Sequence, residues 1–312
     1  DTAISEEIRY VNYDEIKCFE NTNNANYLIL VGLNLESKEE VNVQTFLGAG
    51  EYIYSSEKNM YIAVSNIEYD EGYMIKNSST DILKYELNNG DYTFKAETQI
   101  DGIINNQFSM NEKDEHFRIA TTVGDPINVN KETSNNLYIL NDKLEEVGKL
   151  DKIAPDEKIY SVRYVDDKAY IVTFKQTDPL FVIDLSNPSN PVILGEVKLP
   201  GYSTYLHPYD DTHIIGFGYD TKEKGNRVIN NGLKMVMFDI SDYTSPKVLF
   251  ETKVADDKSY TSLTYNHKSL LYSKDKNIIG FPVTTYSNGK TNSRAQIYKI
   301  DLEKGFILQG EI

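Results

Sequence analysis

Six stretches of this 312-residue chain repeat one form: an apolar strand ending in an acidic or amide residue, a polar turn, and a second strand that carries charge. They span residues 27–45, 81–97, 136–149, 180–196, 234–251 and 296–311. The residue closing the first strand falls at Asn34, Glu86, Asn141, Asp184, Asp239 and Asp301, at intervals of 52, 55, 43, 55 and 62 residues. Self-similarity at such a period marks a repeat architecture in which each unit buries its apolar face against the next.

Ahead of five of these hairpins lies another, its polar turn set between two strands rich in Tyr, Ile and Val. Those turns fall at residues 55–59, 111–115, 166–168, 210–212 and 274–277. Helical periodicity is scarce, and Asn, Gly, Asp and Pro interrupt the apolar runs about every ten residues. The 24 Tyr and 12 Phe, with no Trp, suit half-buried strands whose phenol oxygens reach water at an edge. Two hairpins in succession make a four-stranded antiparallel sheet that cannot cover both its own faces, and stacking such sheets around an axis covers them. The expectation is therefore an all-β fold, a β-propeller of about six blades of four antiparallel strands, as a single domain over residues 1–312. Only residues 8–20 remain to supply inner strands to the first repeat, which leaves that blade short. The polar stretches 67–79, 124–135, 219–231 and 287–293 fall between second and third strands and are expected as loops along one rim.

A formal charge of −16 sets up a field that repels phosphates, so nucleic acid and anionic membrane surfaces are poor partners, and cations, basic partners or neutral polymers are left. No apolar window is long enough for a membrane span, so this segment is expected to insert into no membrane. The single cysteine, Cys18, excludes an internal disulfide and a cysteine-cluster metal site, and reads as a small core hydrophobe. The chain opens at Asp1 without a basic or apolar leader and reads as a trimmed or mature segment.

The stretch 160–220 resembles the signature region of a family of secreted bacterial β-propeller-domain proteins, distantly similar to WD repeats. The likeness rests on Arg163, Val172-Thr173-Phe174, the run from Thr177-Asp178-Pro179 to Asp184-Leu185, Gly201 with Ser203, and Tyr205-Leu206-His207-Pro208-Tyr209. Echoes recur at Asn106-Gln107-Phe108-Ser109-Met110, Ile119-Ala120-Thr121-Thr122 and Tyr265-Asn266-His267-Lys268, so it extends over nearly all of the chain. The resemblance implies the fold and a secreted or cell-surface location, and it brings no catalytic residue. Members of that family extend further at both ends, which implies a fragment of a longer exported protein whose ring is cut.

Aligning the inner strands places Tyr54, Met110, Arg163, His207 and Leu271 at one position, each seven residues before Tyr61, Phe117, Tyr170, Ile214 and Ile278. Innermost strands border the axial channel, so Tyr54, Arg163 and His207, with His267 from the last repeat, are the channel candidates. An Arg and a His there suit an anionic or carbonyl group, against the alternative that both satisfy groups of neighbouring blades. Asp184, Asp239 and Asp301, at the ends of third strands, and Asp178, ahead of Pro179, read as structural ties of turns and strand ends. His116 and His213 adjoin turns and are expected to be exposed. The doublets Asp166-Asp167, Asp210-Asp211 and Asp256-Asp257 invite calcium, but the first two are hairpin turns and no calcium-loop spacing accompanies them, so no metal or cofactor is expected.

No nucleophile elbow, phosphate loop or dinucleotide turn occurs in the right setting. The expected function is an exported or cell-surface, non-catalytic binding or scaffold propeller facing a protein or polymer. The alternative is a propeller hydrolase or lyase with a channel site around Arg163 and His207.

Overall fold

In the computed structural model, which describes residues 12–18, 25–36, 41–48, 52–125, 132–174, 177–224, 227–287 and 289–312, the alternating Tyr/Ile/Val segments form strands gathered into six sheets. The first sheet comprises β1 (Lys17–Cys18), β2 (Tyr27–Gly32) and β3 (Asn42–Leu47). The second holds β4 (Tyr52–Ser55), β5 (Asn59–Tyr69), β6 (Ile75–Asn88) and β7 (Asp91–Asp101). The third holds β8 (Met110–Lys113), β9 (His116–Val123), β10 (Ser134–Leu140) and β11 (Glu146–Ile153). The fourth holds β12 (Lys158–Val165), β13 (Lys168–Phe174), β14 (Thr177–Asp184) and β15 (Val192–Pro200). The fifth holds β16 (Tyr202–Asp210), β17 (His213–Lys224), β18 (Arg227–Asp239) and β19 (Lys247–Ala255). In the sixth, β20 (Ser259–Tyr260) and β21 (Leu271–Ser273) both pair with β22 (Ile278–Ser287), followed by β23 (Lys290–Asp301) and β24 (Gly305–Glu311). Sheets two to five are antiparallel meanders in chain order.

The core lies between sheets. Leu30 and Phe46 of the first sheet pack on Ile62, Leu83 and Tyr85 of the second, and four further apolar clusters join each sheet to the next as far as the sixth. Among the described residues no such cluster joins the sixth sheet to the first. The outward face of β2 stays in solvent, with Tyr27, Ile29 and Val31 61%, 58% and 59% exposed. First strands of neighbouring sheets bond one another: Ser161 Oγ donates to Ser203 O at 2.8 Å, Tyr164 OH to Ser109 O at 3.2 Å, and Tyr272 OH to Tyr209 O at 3.1 Å. These contacts bring the first strands together at the centre of the stack.

Five of the six repeated hairpins turn through a side-chain tie. Asp184 accepts from Ser186 N, Asp239 from Ser241 N, Asp301 from Glu303 N and Lys304 N, Asn141 from Lys143 N and Asn34 from Glu36 N, at 2.9–3.2 Å. A short polar side chain in this place mimics a turn of backbone. Glu86 departs from the pattern, because its hairpin turns through Asn89 and Gly90 at positive φ and the carboxylate pairs with Lys95 instead. The side chain of Asp178 lies outside the described residues.

Four expectations are corrected. Residues 17–18 do not supply an inner strand to the first sheet; β1 adds in parallel to the outer strand β3, with Lys17 opposite Phe46. Cys18 is exposed, because a two-residue edge strand has no second layer to bury it. His116 and His213 are both half-buried, and His213 bonds Asp210 at 2.8 Å. The presumed rim loops at 67–79, 219–231 and 287–293 are largely ladder, since β5–β6, β17–β18 and β22–β23 run on as long hairpins. Water covers both faces there, which removes the apolar alternation while leaving the backbone pairing intact. Of 124–135, residues 126–131 lie outside the described residues.

Candidate functional site

The inner-strand alignment holds at two positions and slips at three. Tyr54 lies opposite Tyr61 and Arg163 opposite Tyr170, as expected. His207 is opposite Ile215, Met110 opposite Ile119 and Leu271 opposite Gly280. A bulge between Pro208 and Asp210, on the turn side of His207, shifts its pairing in the fifth sheet by one residue. In the third and sixth sheets 3-10 turns at Gln107–Ser109, Ser262–Thr264 and His267–Ser269 replace much of the inner strand.

A cavity of about 300 Å³ opens between the first strands of the second, third and fourth sheets. It is lined by Ile53, Tyr54 and Ser55 from β4, by Gln107, Phe108, Met110 and Asn111 around the start of β8, and by Arg163 and Tyr164 of β12. Thus Tyr54 and Arg163 meet in one space. Asn106 caps the 3-10 turn through the Phe108 N–H, and that turn carries the Phe108 ring to the Arg163 guanidinium, 5.0 Å from its centroid.

His267 and His207 stand beside this space. His267 meets Phe108 edge to face at 4.8 Å, and its Nδ1 lies 3.3 Å from Gln107 Nε2. The Tyr205 ring is 5.6 Å from Phe108 and 6.4 Å from His267, and its hydroxyl is 3.1 Å from His207 Nδ1. The far face of His207 packs on Tyr272 at 4.3 Å. Arg163, Phe108, His267, Tyr205 and His207 therefore form one connected group, in which Gln107, Phe108, Asn111, Tyr164, Tyr205 and Tyr272 were not singled out as site residues. The echo at Asn106–Met110 was the available signal for Gln107 and Phe108.

The electrostatics of the group are one-sided. Arg163 is half-buried, and among the described residues no carboxylate or hydrogen-bond acceptor pairs with it. Burial lowers its pKa. Burial first, and the Arg163 charge second, pull the His207 imidazole down to about 4. Burial, Lys268 and Arg163 lower His267 as well. Both rings therefore favour the neutral form near pH 7, beside a guanidinium that has no counter-charge among the described residues.

The other buried cations among the described residues, Lys84, Arg118 and Lys234, are paired. Lys84 bonds the Asp142 carboxylate and carbonyl, Arg118 bonds Asp166 O and Asp167, and Lys234 bonds Pro200 O and Glu251. The acidic doublets are engaged likewise, Asp167 with Lys113 and Arg118, and Asp210 with Thr212 N and His213. A larger cavity, about 880 Å³, lies at the turns of the second and third sheets and is mostly acidic. Its best-placed carboxylates, Glu112 and Asp142, are held by Asn59, Tyr61 and Lys84.

The family model described as Beta propeller domain matches residues 3–312. The chain belongs to the beta propeller domain family. It is 48% identical over 156 residues to an uncharacterized protein of Methanocaldococcus jannaschii, covering 50% of this chain and 24% of that protein. It is 41% identical over 183 residues to an uncharacterized protein of Archaeoglobus fulgidus, covering 59% and 27%. The chain thus spans about a quarter of the length of these two curated relatives, both archaeal. Among solved structures it is similar to the periplasmic gluconolactonase of Pseudomonas aeruginosa, with a TM-score of 0.51 at 12% identity, covering 92% of this chain and 82% of that one. At that identity the likeness concerns the fold alone. No helix among the described residues is long and apolar enough to cross a membrane.

Proposed function

We propose that this beta propeller is a binding module of an exported or cell-surface protein, and that its axial cavity takes an anionic group on Arg163. The observation that carries the reading is the half-buried guanidinium with no counter-charge among the described residues. A desolvated, unpaired cation raises the free energy of the fold, and an incoming anion removes that cost while gaining charge-assisted hydrogen bonds. The net charge of −16 repels extended polyanions, so the group is a small acid or the acidic end of a protein or polymer. Export rests on the family resemblance given by the 160–220 stretch.

The alternative of a hydrolase or lyase at Arg163 and His207 has less behind it. Among the described residues no carboxylate stands by to orient the imidazole, and a ring with pKa near 4 is a weak base at neutral pH. The test separates a ligand anchor from a structural tie. Arg163→Met is expected to raise stability by about 1–2 kcal/mol in chemical denaturation, because it relieves the unpaired cation. It is also expected to abolish the stabilisation that small carboxylates give the parent chain. Destabilisation by Arg163→Met, with carboxylates without effect on either chain, would assign Arg163 to holding neighbouring sheets.

A further inference from the structure

Beyond Arg163, the cavity wall has two features that narrow the ligand. About half of its surface is apolar or aromatic, from Ile53, Phe108 and the rings of Tyr54 and Tyr164, and the other half is polar. Tyr164 turns its hydroxyl away to Ser109 O and so presents ring carbon to the space, while Met110 is buried in the core behind it. The second feature is Asn111. Its Oδ1 is buried and has no hydrogen-bond partner among the described residues. A buried amide oxygen left unmatched costs free energy that a ligand donor recovers. A volume of about 300 Å³ lies at the small end of ordinary small-molecule sites.

We infer that the axial cavity binds a small monocarboxylic acid with an apolar or aromatic body and one hydroxyl or amino donor. The carboxylate lies on the Arg163 guanidinium, the body packs among Ile53, Phe108 and the ring of Tyr164, and the donor meets Asn111 Oδ1. Gln107 adds an amide N–H at the acid end, where its Nε2 lies beside His267. A phosphate fits the guanidinium equally well, yet it brings no carbon to cover the apolar wall. A polyhydroxylated sugar acid would set some of its hydroxyls against the apolar half of the wall.

This assignment rests on the anion reading above, and its test keeps the two apart. Titration calorimetry of the 312-residue chain would use three probes: 4-hydroxyphenylacetate, phenylacetate and inorganic phosphate. The expected order is 4-hydroxyphenylacetate tightest, phenylacetate several-fold weaker, and phosphate without measurable binding. Arg163→Gln weakens both aryl acids by about tenfold or more, the usual cost of a lost charged hydrogen bond. Asn111→Leu brings 4-hydroxyphenylacetate down to the level of phenylacetate. If Arg163→Gln fails to fold, Arg163→Lys takes its place, and the Asn111 side-chain amide resonances of the parent chain must shift on adding 4-hydroxyphenylacetate. Arg163-dependent binding of phosphate at least as tight as the aryl acids would overturn the ligand class and leave the anion reading standing. Absence of Arg163-dependent binding for all three probes would overturn both.

Discussion

His207 shows at the scale of one side chain how the site is tuned. In the folded chain its imidazole stays neutral down to about pH 4, whereas an unfolded chain protonates it near 6.5. Between those values the unfolded state binds more protons, so stability falls as pH falls from about 6.5 to about 4, by up to about 3 kcal/mol. Above 6.5 this group adds no pH dependence, and below about 4 it adds none either. Denaturant titrations from pH 4 to 7 would show the slope, and His207→Gln would flatten it; an unchanged slope in the variant would place the proton uptake elsewhere. Arg163 and Tyr54 were legible because both sit in regular strands whose register follows from a short turn. Phe108 was not, because a 3-10 turn carries no strand alternation, and only the tertiary fold brings its ring against the guanidinium. Met110 and Leu271 were misaligned where such turns shorten the inner strand, and His207 where a bulge inserts one residue.

At the scale of the element, the sheets interlock through one repeated notch. Each fourth strand carries a bulge against the third, and beside it stand Ala96, Gly148, Gly195, Phe250 and Gly310 in sheets two to six. The next sheet's turn from third to fourth strand docks there. Leu144 shares a core with Ala96, and Phe250 packs on Phe306 at 5.0 Å. A Cβ on Gly148 would lie 2.1 Å from Pro188 O, and one on Gly195 2.7 Å from Thr244 O. On Gly310 it would meet nothing within 4 Å. Gly195→Ala and Gly148→Ala are therefore expected to cost about 1–3 kcal/mol by overpacking, and Gly310→Ala less than about 0.5. Equal effects at all three positions, measured by denaturant unfolding, would reject the notch. The hairpin turns and third-strand caps were legible, because Asp and Asn bond their own backbone wherever they fall. The long rim hairpins were not, because solvent on both faces erases the pattern that marks a strand.

Across the whole molecule, six sheets stack through five cores, sheets two to six bring their inner strands to a common centre, and the number and order of sheets could be read from the repeat interval alone. What the interval could not supply is the balance of charge at that centre, since it depends on which side chains of three sheets share a space. A chain with 48 acidic residues leaves one half-buried arginine without any of them among its described residues. A crystal structure of this chain grown in acetate measures that separation. An acetate oxygen is expected on the Arg163 guanidinium above the Phe108 ring, and no Asp or Glu of the chain within about 4 Å of it, the reach of an ion pair. An Asp or Glu side chain of the protein paired with Arg163 would contradict it.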